Sequence, residues 1–249
     1  MLLTSTFFLG NFDERTGLRA FPTHVADVNT LGIMRSRPMR RAKPYHHGNL
    51  REALLEAAVR LIAEVGPTAF TLREVARRAR VSHNAPYRHF RDRNDLMAAV
   101  AAQGFRELTR AMSEAAGGRS DPLERLKFAG LGYVTFALRR PEHFTVMFDA
   151  PVSKRKQPDS AAAGEEAFAT LRGFVKSCQD VGQLTSGDLL EISLLAWTMV
   201  HGIAKLAITG RLPFRSNSEV LKFGEFVIDQ SLPTGPRIGR VLRPVFPHS

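Results

Sequence analysis

The segment Thr71–Phe90 constrains this chain more tightly than any other part of it. Thr71-Leu-Arg-Glu74 has the spacing of a capping box, in which a hydroxyl and a carboxylate reciprocally satisfy backbone N–H groups at a helix start. A helix over 72–79 is therefore predicted. Ser82 is a candidate cap for a further short helix over about 83–89. Pro86 falls in the first turn of that helix, where the missing N–H removes at most one bond, so no break is expected. Two short helices around a tight turn have the length and capping of a helix-turn-helix.

The flanking residues close this unit. Leu50, Leu54, Ala57, Ala58, Leu61 and Val65 fall on one helical face, and Gly66-Pro67 ends that helix. Phe70, Leu72, Val75, Ala76, Val81 and Phe90 are spaced to pack against it. Asp92 caps a long fourth helix that runs towards Ala116, where Gly117-Gly118 breaks it. The element after the turn presents His83, Asn84, Tyr87, Arg88 and His89 and no acid. Carboxylates repel phosphates, so their absence suits a surface that meets nucleic acid. Asn pairs bidentately with adenine and Arg with guanine in the major groove, while Tyr and helix N-terminal amides suit phosphate oxygens.

Charge points the same way. Lys and Arg number 35 against 24 Asp and Glu, a net +11 that favours a polyanion, either nucleic acid or an anionic membrane surface. The single cysteine, Cys178, excludes an internal disulfide and argues against a cysteine zinc site. His46-His47 has no carboxylate or thiol beside it, so neither metal nor cofactor is expected. The chain has no Gly-x-Ser-x-Gly, phosphate loop or His-Glu-x-x-His, and no enzymatic chemistry is expected of it.

Along the chain, residues 1–44 lack any sustained period and read as a disordered extension. Arg35, Arg37, Arg40, Arg41 and Lys43 make it basic, as a solvated tail or as an arm along a phosphate backbone. Met34 and Met39 are alternative starts to Met1. Residues 45–108 form the helix-turn-helix domain, 109–232 a second helical domain and 233–249 a disordered tail. Further helices are predicted at about 122–139, 141–149, 161–181, 188–209 and 217–231, with an exposed loop over 151–160. No strand alternation stands out, so the fold class is all-α.

The segment 188–209 is apolar nearly all round and needs cover on both sides. Core on one side and a symmetric partner on the other is the economical solution, with 188–209 and 217–231 as the homodimer contact. Glu191, His201 and Lys205 oppose insertion into a membrane, and a cytoplasmic location is expected.

The run Phe70-Thr-Leu-Arg-Glu-Val-Ala-Arg-Arg-Ala-Arg-Val-Ser-His-Asn-Ala-Pro-Tyr-Arg-His-Phe90, continued by Arg91-Asp-Arg-Asn-Asp-Leu96, resembles the N-terminal DNA-binding domain of the TetR family over about Gly48–Leu108. The resemblance implies double-stranded operator DNA, a homodimer and a small-molecule inducer as partners. By position it makes Thr71 and Tyr87 phosphate contacts, His83, Asn84 and Arg88 base or phosphate readers, and Arg93 another phosphate contact. Arg80, Ser82 and His89 complete the candidate DNA-binding set. Arg80 stands where the family usually has Gly. A side chain with positive φ costs about 1 kcal/mol, so the turn is expected to survive with some strain.

Ala196-Trp-Thr-Met-Val-His-Gly202 resembles the C-terminal domain of those TetR regulators named for Trp, His and Gly. Pro141-Glu-His-Phe-Thr-Val-Met-Phe148 resembles the short helix found upstream of it. Together they imply a ligand pocket among Phe128, Tyr133, Phe136 and Phe144, with Met147, Phe148, Phe168 and Trp197. His201 is either a ligand contact or a satisfied core histidine. The expected function is a repressor that an inducer releases from an inverted-repeat operator. A ligand-independent DNA-binding protein and an activator are the alternatives.

Overall fold

A computed structural model describes residues 50–149 and 158–233 of the chain. The basic run at 35–43, the alternative starts, His46-His47, and the tail from residue 234 on lie outside the described residues. Those described form eight α-helices, one 3-10 turn and no strand. In order they are α1 (Leu50–Val65), α2 (Leu72–Ala79), the 3-10 turn (Pro86–Arg88), α3 (Arg93–Ala116), α4 (Pro122–Arg139), α5 (Pro141–Phe148), α6 (Pro158–Asp180), α7 (Leu189–Ile208) and α8 (Asn217–Ser231).

Two expectations need correction here. Of the exposed loop expected over 151–160, residues 151–157 lie outside the described residues, while Pro158 opens α6, where proline's fixed φ suits a helix, and Ser160 is buried. The α-helix expected over 83–89 is only the one 3-10 turn.

The apolar residues collect into two cores. Leu54 of α1, Val75 of α2, and Leu96 and Val100 at the start of α3 are sealed in the first. The second gathers Leu108 and Met112 from later in α3 with buried residues of α4, α6, α7 and α8. Helix α3 thus runs through both. Helix α5 also serves both, with Val146 in the first core and Phe144 in the second.

Glycine permits the tightest crossing. A Cβ on Gly132 of α4 would stand 2.5 Å from the Ala111 carbonyl oxygen and 2.9 Å from Ala115 Cβ on α3. No other residue lets these two backbones approach so closely. On α7, Ile192, Ala196, Val200 and Ile203 are buried, whereas Leu190, Leu195 and Leu206 are about half-exposed, at 47%, 47% and 45%. Phe226 of neighbouring α8 is 60% exposed. Among the described residues, α7 is the one helix long and apolar enough to cross a membrane.

Candidate nucleic-acid interface and cavity

The first helical unit is held by a capping box and a set of short-range backbone bonds. Glu74 N–H donates to Thr71 Oγ1 at 3.3 Å, and Glu74 Oε2 accepts from Thr71 N–H at 2.7 Å and from its hydroxyl at 3.0 Å. Those bonds, led by the backbone N–H of Thr71, hold the Glu74 carboxyl below its ordinary pKa. At the far end of α2, Arg80 sits at φ 58°, ψ 41°. It is the one non-glycine residue with positive φ among those described. Its N–H donates to Arg77 O at 3.1 Å and Val81 N–H to Ala76 O at 3.0 Å, which together make the Schellman closure. The turn accommodates arginine where glycine is usual.

Beyond it, Pro86 explains the missing α-helix. With no N–H to give the Ser82 carbonyl, it leaves that oxygen to the tighter bond from Ala85 N–H, 2.9 Å. Arg88 N–H to Ala85 O and His89 N–H to Pro86 O continue the same short spacing. The facing survives the change of pitch. Ala85, Pro86 and Phe90 are buried, while Ser82, His83, Asn84, Tyr87, Arg88 and His89 all face out. Tyr87 is 53% exposed.

The cations nearby differ in what holds them. Arg78 forks onto Glu64, and Arg91 onto Asp95. Arg93 donates from Nη1 to the Thr68 carbonyl at 2.6 Å, its guanidinium 5.7 Å above the Phe70 ring, so it pins the start of α3 to the loop before α2. Arg80 and Arg88 form no ion pair with any described residue.

A cavity of about 370 Å³ opens between α3, α4, α6 and α7, at the end of α5. Of the expected pocket residues, Tyr133, Met147, Phe148, Phe168 and Trp197 line it. Four do not. Phe128 is turned away under the Arg119 guanidinium, 3.3 Å from its ring centroid. Phe136 and Phe144 are sealed in the second core. His201 stands behind the wall, stacked on Phe144 at 5.2 Å and edge-on to Phe148 at 4.7 Å.

His201 is held there by a polar chain. Trp197 Nε1–H donates to Tyr133 Oη at 3.2 Å, and Tyr133 Oη lies 2.8 Å from His201 Nδ1. Burial, helped by the positive charge of Lys205 and opposed by Asp149, keeps the imidazole below its ordinary pKa. It pairs through Nδ1 with the phenol, the donor of that bond being set by the imidazole tautomer. Burial likewise raises the phenol above its ordinary pKa.

The sequence reading missed Phe105, Leu108 and Met112 on α3, and Gly164 and Leu171 on α6. The signal was present. The first three recur at i, i+3 and i+7, and Gly164, Phe168 and Leu171 at i, i+4 and i+7 on the facing helix, each set a single helical face.

An exposed donor set on a capped bihelical turn, carried by a helix that also walls an apolar cavity, defines a helix-turn-helix regulator. Residues 54–100 match the family model described as bacterial regulatory proteins of the tetR family. Residues 126–230 match the one described as a tetracyclin repressor-like C-terminal domain, which includes Trp197, His201 and Gly202. The chain belongs to the TetR family of DNA-binding transcriptional regulators.

Its relatives agree. It is 36% identical over 94 residues to an HTH-type transcriptional repressor of Mycobacterium tuberculosis, an overlap covering 37% of this chain and 49% of the repressor. The chain thus spans about half the length of the curated relatives it matches. A protein of unknown function from Rhodococcus sp. RHA1 is 33% identical, with TM-score 0.65 over 78% of this chain and all of that one. The regulator FadR of Bacillus subtilis, solved with stearoyl-CoA, is 14% identical with TM-score 0.63, covering 73% of this chain and 97% of FadR, and shares the fold.

Proposed function

We propose that this regulator binds an inverted-repeat operator as a homodimer and releases it when a small molecule enters the cavity. The observation that carries the reading is the acid-free donor set at Ser82–His89, displayed by a unit that α3 joins without interruption to the cavity wall. Asn84, His83 and Arg88 read base edges, Tyr87 and Thr71 contact phosphates, and Arg80, Ser82 and His89 add donors around them. Arg93 acts through Phe70 and Thr68 and positions the turn.

Residues 45–108 are the reading domain and 109–232 the sensing and dimer domain. The half-exposed leucines of α7 with Phe226 of α8 supply an apolar face for a second copy. Two reading turns then reach successive major grooves, about 34–36 Å apart. A ligand that prefers another spacing of those turns weakens DNA binding by the same coupling factor. The repressor name of the Mycobacterium tuberculosis relative and the stearoyl-CoA in FadR support this sense of regulation. Its place of action is the cytoplasm, with the chromosome.

Selection of binding sites from random duplex DNA by the purified chain tests the reading, with an inverted repeat as the expected output. Tyr87→Ala is expected to lower affinity without changing the selected sequence. Equal affinity would remove Tyr87 from the phosphate contacts, and no selected repeat would remove the reading.

A further inference from the structure

The cavity wall carries its polar groups in an order that decides what can enter. Among the described lining residues there is no Lys, Arg or His. The one acid, Glu165, stands on the exposed edge of α6. Two cations on neighbouring elements are engaged elsewhere, Lys205 with Asp149 and Arg140 with Glu107. Among the described residues, a carboxylate or phosphate drawn inside would lose its hydration and meet no countercharge on the wall, and an ammonium would meet no buried acid there.

What the interior offers is aromatic surface with one directed acceptor. Phe105 meets Phe148 edge-on at 5.6 Å, Phe148 stands 6.3 Å from Trp197, and Phe168 stands 5.9 Å from Trp197. Rings prefer offset or edge contacts at these separations, so a further ring fits among them. Tyr133 Oη receives the Trp197 N–H and shares a second hydrogen bond with His201 Nδ1, to which it gives its proton in the Nε2–H tautomer of the imidazole. In that tautomer the hydroxyl, with two acceptor positions, keeps one open and has no proton to offer. The Ser160 hydroxyl, also on the wall and buried, has no hydrogen-bond partner among the described residues. A volume of about 370 Å³ suits a small compound.

We propose that the cavity takes an uncharged, ring-bearing lipophile with a hydrogen-bond donor, its rings among Phe105, Phe148, Phe168 and Trp197 and its donor on Tyr133 Oη. This rests on reading the cavity as the sensing site and names the ligand class that site selects.

Three probes with one ring system test it on the full chain: 2-naphthol, 2-methoxynaphthalene and 2-naphthoate, at pH 7. Trp197 is the chain's only tryptophan and lines the cavity, so quenching of its emission reports occupancy, and calorimetry gives the affinities. Naphthol is expected to bind with saturation and naphthoate at least tenfold more weakly, about 1.4 kcal/mol. Methoxynaphthalene, which has no donor, is expected to bind about threefold to tenfold more weakly than naphthol. Tyr133→Phe is expected to abolish that preference. Should Tyr133→Phe fail to fold, the order among the three probes on the wild-type chain still decides.

Naphthoate binding as well as naphthol, or methoxynaphthalene matching naphthol, overturns the proposal. Site selection on DNA separates the two readings. A chain that selects a repeat but binds none of the probes overturns the ligand class and leaves the regulator. One that ranks the probes as stated but selects no DNA keeps the ligand class and loses the regulator.

Discussion

The reading turn and the cavity are built by opposite means. The backbone bonds that fix the turn join residues five or fewer apart, such as Val81 N–H to Ala76 O and Ala85 N–H to Ser82 O. The bonds that fix the cavity wall join residues 64 and 68 apart, Trp197 to Tyr133 and Tyr133 to His201. Chemistry made by neighbours in the chain can be carried outward on an exposed surface. Chemistry made by distant residues exists only while the helices stay packed. Mutations at the two places should therefore separate binding from stability.

The largest effect should fall on the packed side. Phe144 is fully buried behind the cavity, and Phe144→Ala is expected to cost about 3–5 kcal/mol of unfolding free energy in urea. Operator affinity of the molecules that remain folded should stay close to wild type. Next comes the turn, where Asn84→Ala should lose about 1–3 kcal/mol of operator binding and relax the preference at one base pair. Its stability should stay within about 0.5 kcal/mol of wild type. An Asn84→Ala chain that melts early would break the contrast.

Arg80→Gly sharpens it further. Glycine relieves the left-handed strain, so this variant should gain about 1 kcal/mol in stability while DNA binding weakens. Denaturation and gel-shift titration of the same preparation would show the two moving in opposite directions.

The smallest effect is a pH dependence of the packed side. His143 is 2% exposed with neither ring nitrogen hydrogen-bonded to any described residue, and burial holds its pKa below the ordinary 6.5, with Glu107 pulling it up and Arg140 down. The unfolded chain then binds the proton more readily than the folded one. Stability is complete above pH 6.5 and declines as pH falls below it. His201, also lowered, adds with the same sign. Urea midpoints should fall between pH 6.5 and 5, and His143→Leu should flatten part of the slope. A flat wild-type profile would contradict a neutral buried His143.

The same division explains what could be read in advance. The bounds of α2, α4 and α8 follow from Thr71, Asp121-Pro122 and the flanking breaks, because caps act within one turn. The outward set from Ser82 to His89 followed from composition. Pro86 misled because the seven-residue helix expected there has few bonds to lose, so removing one gave the short-range pattern the advantage. Phe128 misled for a geometric reason. It lies five residues before Tyr133, about 140° around α4, so the two cannot face one cavity. Residue type marks an aromatic as apolar, and only its angle around the helix says which space it faces.

Helix α3 has 24 residues, which at 1.5 Å each make a rod about 36 Å long. Arg93 stands at one end, and Met112, against the cavity, near the other. Pivoting such a rod by about 5° at its inner end sweeps the outer end through about 3 Å, by simple trigonometry on that length. Hydrogen bonds to base edges tolerate only a few tenths of an ångström. A motion too slight to reshape the chamber is thus enough to carry the fingertips of the molecule off the groove floor.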